Sequence, residues 1–264
     1  AKEANQKALE EMQQQAAAMQ EQIMKMQQQA MAAGGMTQDM MQQMMGYQQQ
    51  ATQAAISGDM SSFYSGGDDE DEAEKTEFID ANPQPEGMTK YLGIGSFFVV
   101  MRDEPVCTLE LMGDTDEYAE ETDDSWGIDD RDSLVEMLDS LLQGRAYKSY
   151  NETYLAIKSG NTDNVDEEDL ENYQTAVEVL HDAVDIPIKE INKCPSILGW
   201  DLERAGYLAR VGAHVGYITK EEAWEYLKAA ATKAKENFND WTQYAISIVM
   251  GRAVHMGYHE AYIY

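Results

Sequence analysis

The sequence predicts a mainly α protein, a compact helical domain preceded by an amphipathic helical arm or hairpin. Three observations carry that prediction. Apolar residues recur at intervals of three and four through most of the chain, the period of one helix face. Side chains that cap helix N-termini stand just ahead of several of these stretches, at Thr37, Asp130, Thr219 and Asp240. Glycines close them, at Gly34 and Gly35, Gly160 and Gly216. The stretches divide into an arm over residues 1–57, an acidic linker over 58–86 and a helical domain over 87–264.

In the arm, Gln, Met and Ala dominate, and the information lies in their spacing. Leu9, Met12, Ala16, Met19, Ile23, Met26 and Ala30 form a heptad stripe among strong helix formers. After the glycine pair, Thr37 opens a second stretch in which Met40, Met44, Tyr47, Ala51 and Ala54 repeat the pattern. An isolated helix with one apolar seam is marginal in water, so this seam calls for a covering surface on the body, on another copy or on a partner. Methionine suits such a seam because its flexible thioether adapts to varied surfaces.

The linker carries GGDDEDEAE, a run of like charge without an apolar period, which reads as solvated, extended chain stiffened at its end by Pro83 and Pro85. A second acidic stretch, DTDEYAEETDD, spans Asp114 to Asp124. Counted as a calcium loop from Asp114, it has Tyr118 at position 5 and Ser125 at position 12 and lacks the central glycine. It is therefore no EF-hand, and it reads as a solvated acidic surface on which divalent cations would bind only loosely.

From Gly87 onward each element has its own signal. Ile94, Phe97, Phe98 and Met101 share a helix face, a reading preferred over a strand turning at Asp103-Glu104-Pro105. Asp130 opens a helix through Leu134, Leu138, Leu141 and Leu142; another runs from Tyr147 to Ser159, and a third from about Asp166 to Val184. WDLERAGYLARVGAHVG is a helix with Leu202, Ala205, Leu208 and Ala209 inward. Thr219 and Glu222 then form a capping box for a helix to about Asn237. Asp240 opens the last helix, through Trp241, Tyr244, Ile248 and Arg252. Trp200, Trp224 and Trp241 are expected in the core. Short connections predict antiparallel neighbours.

Charge narrows the function classes. With 49 acidic against 19 basic residues the formal net charge is −30. Nucleic acid is excluded as a main partner, because phosphate binding is driven by Lys and Arg. Anionic membrane surfaces are excluded for the same reason. The acidity favours a basic protein or divalent cations as partners. No apolar run is long enough for a transmembrane segment. The sequence reads as cytoplasmic; Ala1 in place of Met fits Met removal or, for an exported chain, cleavage of a signal. Two cysteines, Cys107 and Cys194, are too few for a disulfide scaffold and are expected as small buried residues.

Tests for chemistry return little. His255 and His259 share a helix face, but no Glu follows the first as a metalloprotease requires, so they read as a surface pair. GIGSFF lacks the lysine and spacing of a phosphate loop, and neither cysteine has a local base. No catalytic residue, metal site or cofactor is predicted.

The stretches SWGIDDRDSLVEMLDSLLQG, GWDLERAGYLARVGAHVGYITKEEAW and WTQYAISIVMGRA resemble, in order and spacing, the bacterial domain-of-unknown-function family 1266 over roughly residues 88–258. The resemblance supports the helix around Phe97 and implies no established activity; the arm and linker lie outside it. Among the matching positions are Asp201, Arg204, Arg210, Glu221 and Arg252, all on apolar-periodic helices. Such charges fix helix register as buried ion pairs, or converge on a ligand. The register reading is preferred, with Asp201 touching Arg204 three residues on and Glu221 as the partner of Arg210.

Three functions follow as expectations. The first is a non-enzymatic protein that assembles with itself, as a homo-oligomer or filament, through the seam of Leu9, Met12, Met19, Ile23, Met26, Met40, Met44 and Tyr47. The second is an acidic module of immunity-protein type that sequesters a basic partner. The third is an enzyme of unknown type using the Asp/Glu/Arg cluster.

Overall fold

Ten α-helices and one 3-10 turn carry the described residues, 69–257, of the computed structural model, and no strand occurs among them. The chain divides between Glu70 and Asp71 into two units, and the described residues belong to the second apart from Asp69 and Glu70, which begin the first helix. That helix, α1, is Asp69–Ala81; the 3-10 turn Thr89–Tyr91 leads into α2, Ser96–Met101. Then come α3 (Thr115–Trp126), α4 (Arg131–Leu142), α5 (Arg145–Lys158), α6 (Glu167–Asp182) and the short α7 (Ile188–Ile191). Three long helices close the domain: α8 (Leu198–His214), α9 (Lys220–Asn237) and α10 (Trp241–Met256).

Two of these elements correct the sequence reading, and for one reason. The linker is not extended throughout, since its acidic run continues into α1. The second acidic stretch is not a solvated surface alone but α3, which buries Tyr118 and Thr122. In both helices carboxylates crowd the N-terminal end, where the helix dipole favours negative charge. Asp114 also caps α3 by accepting from the amides of Asp116 (2.9 Å) and Glu117 (3.2 Å). The capping box of α9, from Thr219 and Glu222, forms as expected, and Asp130 opens α4 as expected, in a second capping box with Ser133.

The centre of the domain is α8. It packs against α2, α4, α5, α9 and α10. Every residue from Leu198 to Gly212 is buried, so the helix has no outward face. Hydrophobic residues with one inward stripe would not survive that environment; α8 instead spends small residues on close crossings. A Cβ at Gly206 would stand 2.6 Å from the carbonyl of Ile94, and one at Gly95 would stand 2.4 Å from the amide of Tyr207. The backbone of α8 thus rests directly on the turn before α2, where Gly95 has φ +86°.

Two apolar clusters surround this helix. The larger joins α2, α3, α4, α8 and α9 and includes Trp200, Trp224, Leu138 and Leu208. The smaller lies among α5, α6, α7 and α10, around Tyr154, Leu180, Ile191 and Met250. Trp200 and Trp224 are core residues, as expected, but Trp241 is 60% exposed. It stands in the first turn of α10, which begins at the rim of the domain, so its position in the sequence pattern did not place it inside. Cys194 is buried and Cys107 is exposed, and neither is paired. Cys107 sits in the irregular segment between α2 and α3, where no helix face carries it inward.

Candidate functional site

The charged residues of α8 form the one concentrated set of buried ionisable groups among the described residues: Asp201, Glu203, Arg204 and Arg210. Burial of a charge is costly unless it is paired or hydrogen-bonded, so each must be accounted for. The accounting turns on helix termini. Two helices, α2 and α5, start from glycine in the left-handed region, Gly95 and Gly144, which offer no side chain to cap the free amides. Carboxylates from α8 supply what those glycines lack.

Asp201 caps α5. Its two oxygens accept from the amides of Ala146 (3.0 Å) and Tyr147 (2.8 Å), and Arg204 donates to the same carboxylate. Glu203 caps α2. It accepts from the amides of Gly95 (2.9 Å) and Phe97 (2.7 Å) and from the hydroxyl of Tyr244 (2.7 Å). Two residues apart on a helix, the two side chains leave on different faces and so reach different neighbours. Complete burial pushes the Glu203 carboxyl above its ordinary range, although its three donors oppose this.

Arg210 serves carbonyls rather than carboxylates. Its Nη2 donates to the carbonyls of Pro105 (2.9 Å) and Thr108, pinning the segment after α2 onto α8. Its Nε and Nη1 find no hydrogen-bond partner among the described residues. Burial lowers its pKa to about 10, and the charges of Glu104 and Glu203 work against that fall. The expected pair with Glu221 does not form: Glu221 is exposed at the start of α9. The capping box turns the first residues of α9 toward solvent, and the neighbouring Glu222 takes the structural role instead, accepting from Thr219 and pairing with Arg131. The remaining candidate, Arg252, lies half-buried on α10 with its guanidinium 5.7 Å from the Trp200 ring.

Around Trp200 the side chains are layered. The Arg204 guanidinium lies 4.9 Å from the indole, and Phe98 stacks on the indole at 5.6 Å. The indole N–H donates to Nδ1 of His255 (3.1 Å), whose pKa burial and the charge of Arg204 lower. His255 therefore faces inward rather than sharing a surface pair, and His259 lies outside the described residues. The seam residues Leu9 to Tyr47 also lie outside them. Among the described residues no three His, Cys, Asp or Glu side chains converge as a metal site, and no helix is long and apolar enough to cross a membrane.

The structure thus brings Asp201 and Arg204 together, leaves Arg210 to backbone carbonyls, and keeps Glu221 apart. The sequence reading passed over Glu203. Its signal was available: in WDLERAGYLAR the apolar and small residues Trp200, Leu202, Ala205, Tyr207, Leu208 and Ala209 fall on all sides of the helix, the pattern of a helix buried all round, so a charge among them is enclosed too.

The family model described as "Protein of unknown function (DUF1266)" matches residues 123–262, just over half of the chain. The chain belongs to this family. No curated protein and no solved structure matches it. The DUF1266 match begins in the last turn of α3, later than the resemblance at 88, and takes in every helix from α4 to α10. Glu203 and Arg210 lie inside the DUF1266 region, whereas Gly95, Phe97, Pro105 and Thr108, which they hold, lie outside it. The stretch from Gly95 to Thr108, ahead of the matched region, is therefore tied to the DUF1266 core through α8.

Proposed function

We propose that this DUF1266 chain is a non-enzymatic interaction protein that assembles with copies of itself through its N-terminal arm, the helical domain being the body that the arm connects. The observation that carries the reading is the heptad stripe of Leu9, Met12, Met19, Ile23 and Met26, continued by Met40, Met44 and Tyr47. Such a seam gains from burial against an identical seam. The geometry of α8 supports it indirectly. Asp201 and Glu203, the two buried carboxylates that chemistry would draw on, already serve helix termini.

The test is the mass in solution of the full chain beside a full-chain variant with Met19→Glu, Ile23→Glu and Met26→Glu, by light scattering after size exclusion. The parent is expected as an assembly and the variant as a monomer with an unchanged melting temperature. Equal masses for both would overturn the proposal.

A second reading draws on the charge. With a net charge of −30 and exposed carboxylates along α1, the chain suits a basic protein that it would sequester. A monomeric parent that captures a basic protein in a salt-sensitive complex would move the reading there.

A further inference from the structure

A groove of about 550 Å³ opens where the end of α9, the start of α10 and the 3-10 turn meet. That volume is in the range of small-molecule sites. Its walls are aromatic, from Tyr91, Phe238, Trp241 and Tyr244, and its edges carry Lys90 and Lys235.

The exposed Trp241 is held, not loose. Its ring lies against Gly93, where an added Cβ would stand 3.0 Å from the indole, and it meets Tyr244 edge-on at 5.6 Å. Tyr244 is in turn fixed through its hydroxyl to Glu203. An indole left 60% exposed yet locked in place is a preformed stacking surface.

The polar atoms of the groove point to one ligand charge. One oxygen of the Asp240 carboxylate accepts from the amide of Gln243 (2.8 Å), and the side-chain amide of Asn239 donates to the side chain of Gln243 (3.3 Å). Against that one carboxylate the lining sets two ammonium groups, Lys90 and Lys235, so its charge is net positive, and the Trp241 N–H is a further donor. Lys90 lies 5.0 Å from the Tyr91 ring and, like Lys235, meets no carboxylate among the described residues. Lys235 belongs to a basic stretch of α9, where residues 228–237 hold Lys228, Lys233 and Lys235 against Glu236 alone, in a chain with 49 acidic and 19 basic residues.

We infer that this groove binds a small planar organic anion, an aromatic ring bearing a carboxylate. The ring stacks on Trp241 between the aromatic walls, and the carboxylate lies between Lys90 and Lys235. The inference is independent of the arm and of self-assembly.

The experiment is calorimetric titration of the full chain with 2-naphthoate, with neutral 2-naphthylmethanol and with acetate. Naphthoate is expected to bind about ten-fold tighter than either control, and more weakly as salt rises. Trp241→Ala is expected to weaken naphthoate about ten-fold and the double variant Lys90→Ala, Lys235→Ala about five-fold. Lys148→Ala, exposed on α5, is expected to leave binding unchanged. Melting curves check that each variant is folded, and the lysine pair tests the site even if Trp241→Ala does not fold. Equal binding of naphthylmethanol would overturn the inference, as would undiminished binding by the lysine double variant or no naphthoate binding by the parent. A Trp241→Ala variant whose mass in solution falls while naphthoate binding is absent would reassign the face to contact between copies.

Discussion

Glu203 and Glu222 both hold the N-terminus of a helix, and they do so in opposite settings. Glu222 belongs to the helix it caps: it accepts from the amide of Thr219 (2.9 Å) three residues back and pairs with Arg131 at the surface. Glu203 lies in the middle of α8 and caps α2, more than a hundred residues earlier in the chain, with no exposure to solvent. Their acidities move apart accordingly. The hydrogen bond from Arg131, joined by those of Thr219, holds the Glu222 carboxyl down at about 2. Burial drives Glu203 up. An exposed cap gains from its charge, while a buried cap bears its charge only because donors surround it. The same functional group therefore stabilises by a local motif in one place and by tertiary enclosure in the other.

The comparison is broken most severely at the other buried cap. Asp201→Ala removes both acceptors from the start of α5 and strands Arg204 inside the domain. A loss of about 3–5 kcal/mol is expected for a broken buried pair. Chemical denaturation, read by circular dichroism, checks it. A loss within the range of a surface substitution would show that α5 is capped in some other way.

Glu203→Gln sharpens the contrast and is expected to cost less. The amide keeps an acceptor for one backbone N–H but cannot serve Gly95, Phe97 and Tyr244 together, a loss of about 1–3 kcal/mol. The pH dependence gives the sign. Because the folded pKa of Glu203 is raised, its contribution is complete below the unfolded value and fades as pH rises through the folded one. The variant, measured from pH 4 to 8, is expected to lose this alkaline decline, and an unchanged slope would count against a raised Glu203.

Glu222 runs the other way. Its folded pKa is depressed, so its contribution is present above the unfolded value near 4.5 and is lost as pH falls toward about 2. Arg131→Gln is expected to flatten the acid limb of the melting-temperature profile without moving the neutral region far, since exposed pairs contribute little. The smallest effect is expected from Glu221→Gln. Glu221 is exposed and does not reach Arg210, so the melting temperature should match the parent; a clear loss would revive the pairing expected from sequence.

How much was legible follows the same division. The starts of α4, α9 and α10 were readable because each is set by a side chain within three residues of the amide it satisfies. The Asp201–Arg204 pair was readable because both lie on one helix face. The partners of Glu203 and Arg210 were not, since residues a hundred positions apart share no local pattern. The exposure of Trp241 was not either, because an apolar residue at the start of an apolar helix looks alike at the rim and in the core.

What the sequence by itself determined is seven of the ten helices, α2, α4, α5, α6, α8, α9 and α10, and most of their termini, through the three-and-four period, the capping side chains and the glycines. Those are local interactions, and their strength depends little on what packs around them. Only the tertiary structure decided that α8 is enclosed on every side, that its carboxylates cap α2 and α5, and that Trp241 with two lysines faces an open groove. The physical reason is that burial is a property of the assembled helices: it sets the cost of a charge, and with it which distant backbone group must come to meet it.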